Sequence, residues 1–146
     1  MKIQRRSARA LRAGFSLAEL MVVIVIIGLL ATLVVPNVLQ RLFQANIATA
    51  KKNIITLEGA CTEYAVANQG RWPESLNVLV EKDDMGFSYI DQDKLPLDPW
   101  KNDFLYEPPN TGQSKGTITC LGSDGAVGGD GDARDFNNHM IHNDEI

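Results

Sequence analysis

The chain has 146 residues, 45% of them hydrophobic, and a formal net charge of −4, which points to one domain with at most an appended segment. The charge is unevenly placed: residues 1–14 hold five basic residues and no acid, whereas the remainder holds nine basic and eighteen acidic ones. That distribution excludes a protein gripping nucleic acid through an overall basic surface, and the uncharged run from Leu20 to Val35 excludes an ordinary soluble enzyme.

The apolar run is the first predicted element. From Phe15 to Val35 it would make a helix about 31 Å long, the hydrocarbon thickness of a bilayer. A basic flank before it and an acidic domain after it place the N-terminus in the cytoplasm. A cleaved secretory signal also joins a basic to an apolar region. Here the run is long for such a signal, and the nearby Ala-x-Ala triplet, Ala48-Thr49-Ala50, lies well past its end. Glu19 is a further sign, because a carboxylate at the edge of an apolar span is costly unless paired or held at the interface.

Gly14-Phe15-Ser16-Leu17-Ala18-Glu19, followed by the apolar run through Gly28, resembles the class III signal of type IV pilins and type II secretion pseudopilins. The resemblance implies that a prepilin peptidase cuts between Gly14 and Phe15, that the new N-terminal Phe15 is methylated, and that the apolar helix is retained. It also gives Glu19 a role, as counter-charge to the Phe15 amine of a neighbouring subunit. A buried pair of this kind need not be stabilising in net terms, but it favours one register. The other reading leaves Glu19 at the level of the lipid headgroups.

Pro36 lacks an N–H and is expected to kink or locally melt a helix. Beyond it Val38, Leu39, Leu42, Ile47, Ile54 or Ile55, Leu57, Cys61, Tyr64 and Ala65 recur at three- and four-residue steps, one face of an amphipathic helix. It should stop near Asn68, before Gly70 and Pro73. A turn and short helix follow around Ser75–Val80. Phe104–Tyr106 and Thr117–Leu121 read as strands joined by a turn at Asn110–Gly112, an antiparallel hairpin. The predicted class is α+β: a long N-terminal helix, its first half membrane-spanning, packed on a small antiparallel sheet in a type IV pilin-like arrangement. Its parts are a leader (1–14), a membrane or fibre-core helix (15–36) and a head (37–146).

Arg71-Trp72-Pro73, Leu95-Pro-Leu-Asp-Pro-Trp-Lys-Asn-Asp-Phe-Leu-Tyr106 and Leu121-Gly-Ser-Asp-Gly125 occur in the order found in heads of major pseudopilins of type II secretion, which they resemble. Lys101 stands where a Gly is usual and Cys120 where a Ser is. Trp72, Trp100 and the prolines read as core and turn residues. Between Leu121 and Asp135 four carboxylates, Asp124, Asp130, Asp132 and Asp135, sit among five glycines. Oxygen ligands in a flexible loop suit Ca²⁺, but the spacing is not that of an EF-hand, and composition leaves a solvated acidic loop equally open. The resemblance implies a calcium site here. Asp124 and Asp135 match best, the Leu121 carbonyl is a further candidate, and Arg134 departs from the family pattern.

Cys61 falls on the inward helical stripe and Cys120 on one face of its strand with Ile118. A disulfide, permitted outside the cytoplasm, and a pair of small buried hydrophobes are both open. His139 and His142 have the spacing of a metal pair, but nothing nearby completes a site, so they read as solvated.

No nucleophile–base arrangement, phosphate loop or cofactor motif is present, so no enzymatic activity is expected. The resemblance implies a structural subunit of a helical pseudopilus, anchored by a single pass in the inner membrane with its head in the periplasm. Its partners would be further copies of itself, minor pseudopilins, the prepilin peptidase, and an inner-membrane platform with its ATPase. The alternatives are a surface type IV pilin, which would share only the N-terminus, and a membrane-tethered periplasmic binding protein.

Overall fold

The computed structural model describes residues 14–145. Apart from Gly14, the expected leader therefore lies outside the described residues. The chain divides into two compact units, one running through Gln40 and one from Arg41 onward.

Helix α1 spans Leu17–Ala67. Its start is set by a reciprocal cap: the Ser16 N–H donates to Glu19 Oε2 at 2.7 Å, and the Glu19 N–H donates to Ser16 Oγ at 3.2 Å. Ser-x-x-Glu ahead of an apolar run is a capping box, which satisfies two otherwise orphaned amides. Within the apolar stretch the Thr32 hydroxyl donates to the Leu29 carbonyl at 2.8 Å, so the helix itself satisfies the one hydroxyl it carries there.

Helix α1 continues through Pro36, so the backbone is not melted there. Proline removes one backbone donor, and a long apolar helix tolerates that loss when neighbouring turns take up the freed groups. The Asn37 side-chain amide donates to the Leu33 carbonyl at 3.0 Å, one residue past the Thr32 carbonyl that Pro36 leaves without its helical donor. The helix ends where expected: Gln69 and Gly70 both take positive φ, and the Gly70 N–H reaches back to the Ala65 carbonyl at 2.7 Å, a Schellman-type termination.

In the second unit the predicted stripe holds from Ile47 onward. Ala50, Ile54, Leu57, Ala60, Cys61 and Ala65 are buried, whereas Ile55, about 100° round the helix from Ile54, is half exposed. Val38, Leu39 and Leu42, expected on the same stripe, are exposed. The short helix is a 3₁₀ turn, Leu76–Leu79, with Ser75 as its N-cap.

Strands β1 (Leu105–Glu107) and β2 (Thr117–Cys120) form the predicted antiparallel hairpin, with Tyr106 opposite Ile118. A third strand not foreseen, β3 (Phe136–Asn137), pairs antiparallel with the other side of β2, and α2 (Asn138–His142) follows directly. The core gathers the α1 face, Leu76, Leu79, Ile90, Phe104, Ile118, Cys120 and Phe136, with Trp72 and Trp100 packed against it.

Candidate assembly and cation sites

The residues expected to form the N-terminal site are Gly14, Phe15 and Glu19. Phe15 is 82% exposed, and Glu19 is the acidic residue of the helix's first turn. Within a single chain its carboxylate is engaged by the Ser16 amide. The capping role was legible in the Ser16-x-x-Glu19 spacing, which the sequence reading did not use. Every large apolar side chain from Leu20 to Val35 is at least 46% exposed, and the most apolar stretch of α1 has no part buried in the chain.

The acidic loop is held by backbone geometry. Glycines 122, 125, 128, 129 and 131 all take positive φ. A Cβ on Gly122 or Gly129 would fall 2.6 or 2.5 Å from Ala133 backbone atoms, so the loop folds back on the 3₁₀ turn Gly131–Ala133 at distances only glycine permits. The Ser123 N–H donates to the Asp132 carbonyl at 2.8 Å, and Asp124 Oδ1 accepts from the Ala126 amide at 3.1 Å. Asp135 Oδ2 accepts from the Gly128 amide at 2.7 Å, whereas Asp135 Oδ1 is buried without any hydrogen-bond partner. A buried carboxylate oxygen left unpaired is costly, and an oxygen-binding cation is the kind of partner that would satisfy it.

The four aspartates do not gather. Among the described residues no three Asp, Glu, His or Cys side chains form a metal cluster. Asp130 caps the 3₁₀ turn without a side-chain bond, and both Asp130 and Asp132 are exposed. Like charges separate in a loop that backbone bonds already close, and the one observation that favours a cation is the unpaired Asp135 Oδ1. Arg134 turns away, donating to the Glu145 carbonyl at 3.1 Å.

The Leu-Pro-Leu-Asp-Pro-Trp segment docks this loop. Buried Asp98 accepts from the Trp100 and Asn102 amides at 2.9 and 2.7 Å. The Asn102 side chain then donates to the Gly122 carbonyl at 3.1 Å. Lys101 has φ +74°, in the left-handed region that favours glycine. The two head motifs are tied by the Tyr106 hydroxyl, which donates to the Pro73 carbonyl at 2.6 Å.

The sequence profile described as Type II secretion system (T2SS), protein G matches residues 37–139, and the prokaryotic N-terminal methylation motif matches residues 9–35. The type II secretion system core protein G of Vibrio cholerae is 38% identical over 141 residues, covering 89% of this chain and 93% of that protein. Its counterpart from Pseudomonas aeruginosa is 36% identical, covering 93% and 98%. The chain belongs to the type II secretion protein G family. The crystal structure of the major pseudopilin from the type 2 secretion system of enterohaemorrhagic Escherichia coli superposes with a TM-score of 0.54 at 26% identity, over 72% of this chain and 96% of that one.

As a member of the protein G family the chain is a structural pseudopilus subunit of type II secretion and not an enzyme. Its apolar N-terminal helix fits a membrane-anchored periplasmic protein. Of the two readings the sequence left open for the cysteines, the structure has Cys61 and Cys120 as buried free thiols. Burial pushes each thiol up to about 12, the Glu58 charge adding to this at Cys61 and the Asp98 carboxylate at Cys120. Cys120 Sγ donates to Asp98 Oδ2 at 3.6 Å.

The histidines are not simply solvated. His142 Nε2 lies 2.8 Å from Oε2 of Glu58, and Lys115 Nζ lies 2.8 Å from Oε1; Glu58 itself is only 5% exposed. Burial raises the Glu58 carboxyl, but the hydrogen bonds and charges of Lys115 and His142 outweigh it and hold the group below the usual carboxylate range. His139 instead meets the Thr117 hydroxyl at 3.4 Å. No local pattern announces this cluster, whose partners stand 57 and 84 residues from Glu58.

Proposed function

We propose that this subunit is cut between Gly14 and Phe15 by a prepilin peptidase and methylated on Phe15. It would then be held in the inner membrane by residues 15–36 with its head in the periplasm. A membrane platform and its ATPase would lift copies into the helical pseudopilus, alongside minor pseudopilins. The observation that carries this reading is the uncovered apolar surface of the first unit. None of the described residues of that unit buries it, and a surface of that kind requires lipid or other helices around it. Transfer from bilayer to fibre keeps it covered at both ends of the journey. Glu19 would then exchange its local cap for the charged amine of a neighbouring Phe15.

The reading extends to the acidic loop. We infer that it holds Ca²⁺ through Asp135, whose buried Oδ1 lacks a partner, with Asp124 and the Leu121 carbonyl as further oxygens. The ion would tie the loop to β3, which begins at the next residue. Intact mass of protein extracted from membranes tests the processing scheme. A chain starting at Phe15 and carrying one additional methyl group is expected, and a chain retaining its leader in secreting cells would overturn it.

A further inference from the structure

Charge is segregated along this molecule. From Leu20 to Leu57 there is no acidic residue, while Arg41, Lys51 and Lys52 are basic; residues 58–146 hold seventeen acids against six basic residues. At the start of the second unit, a concavity of about 480 Å³ is lined by Phe43, Ile47, Ala48 and Lys51 of α1 and by Arg134 and Phe136. Its walls are largely apolar and its ionisable residues are both cationic. Arg134 has a neutral carbonyl as its hydrogen-bond partner.

A surface of the opposite kind lies at Asp83–Phe87. Asp83 Oδ1 accepts from the Met85 and Phe87 amides at 2.9 and 2.8 Å. The Asp83 N–H donates to the Phe87 carbonyl and the Gly86 N–H to the Asp83 carbonyl, both at 2.9 Å. Four hydrogen bonds thus close a five-residue tip whose Met85 is 91% exposed and whose Phe87 is 52% exposed, beside the carboxylates of Asp83 and Asp84. A loop ordered in this way presents its apolar side chains at little further entropic cost. The Phe87 ring packs edge-on against Tyr89, which packs against Tyr64. Tyr64 is seventeen residues beyond Ile47 on α1, about 26 Å of helix rise, so the tip is anchored far from the concavity of its own chain.

We propose that the Met85 tip of one copy seats in the Phe43–Phe136 concavity of the next. This rests on the fibre-subunit reading and adds to it the surfaces that meet. An apolar, acidic knob and an apolar, basic socket at different levels of one α1 form a heterologous pair, and repetition of such a pair yields an open filament rather than a closed dimer. Complementary charge also sets register and disfavours reversed docking.

The test uses the full-length chain in cells that assemble pseudopili, with Ala48→Cys and Met85→Cys introduced singly and together, followed by mild oxidation. The native thiols are buried, so the paired variant should give a ladder of dimers, trimers and higher species, and each single variant should give none. As a second arm, Asp84→Lys and Arg134→Glu should each lower fibre yield several-fold, and their combination should restore it. Fibres of normal yield without a ladder would overturn the pairing while leaving the fibre reading intact, and would point the basic socket toward anionic lipid instead. A native chain that forms no fibres would remove the underlying reading as well.

Discussion

Asn138 offers a sharp test of how the head is closed. Its side chain is 1% exposed, its Oδ1 accepts from the Ile118 amide and its Nδ2 donates to the Gly116 carbonyl, both at 3.1 Å. Strand β3 is only two residues long, and this amide continues the ladder against β2 where the backbone turns into α2. Asn138→Ala would strand a buried donor and a buried acceptor. At about 1–3 kcal/mol for each unsatisfied group, and allowing for partial relaxation, the loss should be about 2–4 kcal/mol. For a unit of this size that corresponds to a Tm lowered by roughly 10–20 °C. Both tryptophans of the chain, Trp72 and Trp100, pack on the head core, so Trp fluorescence during thermal melting of the detergent-solubilised protein reports the head alone. Asn138→Asp keeps the acceptor but turns a carboxylate oxygen toward the Gly116 carbonyl. It should be destabilised at neutral pH and recover in acid as the carboxyl gains a proton to donate. An Asn138→Ala variant melting within about 2 °C of the native chain would refute the ladder role, since that shift corresponds to well under one unsatisfied group.

Glu19→Gln separates two roles: glutamine still closes a capping box but carries no charge. It should be processed normally yet give few fibres, and a native fibre yield on shearing would assign Glu19 to capping alone. Because the Glu58 carboxyl is held below its ordinary value of 4.5, its contribution is present above that value and disappears as pH falls through the lowered one. Glu58→Gln should therefore cost about 1 kcal/mol at neutral pH, small because Lys115 and His142 are half exposed, and its deficit should vanish in acid melts. Lys101→Gly should stabilise the head by about 0.5–1 kcal/mol in denaturant titration, relieving a left-handed residue at the expense of some chain entropy. Chelation should lower the Tm of the native chain and leave Asp135→Ala unchanged; coincident native melts with calcium and with chelator would remove the ion.

What the sequence by itself determined is what neighbouring residues decide. The apolar span, the stripe from Ile47 to Ala65, the stop at Gly70 and the β1–β2 hairpin all follow from periodicity, caps and turns acting within a few residues, whereas the Gly14–Glu19 signal was read from its resemblance to a known one. Only the tertiary structure decided that Ile54 rather than Ile55 faces the core and that the four aspartates do not converge. It alone revealed β3 and α2, because their pairing depends on Asn138 reaching β2 and on Glu58 meeting Lys115 and His142. Those contacts join residues 20 to 84 positions apart. Burial makes them valuable, since an unpaired carboxylate or amide inside the head is costly while the same group in solvent is not, and burial is a property of the packed chain.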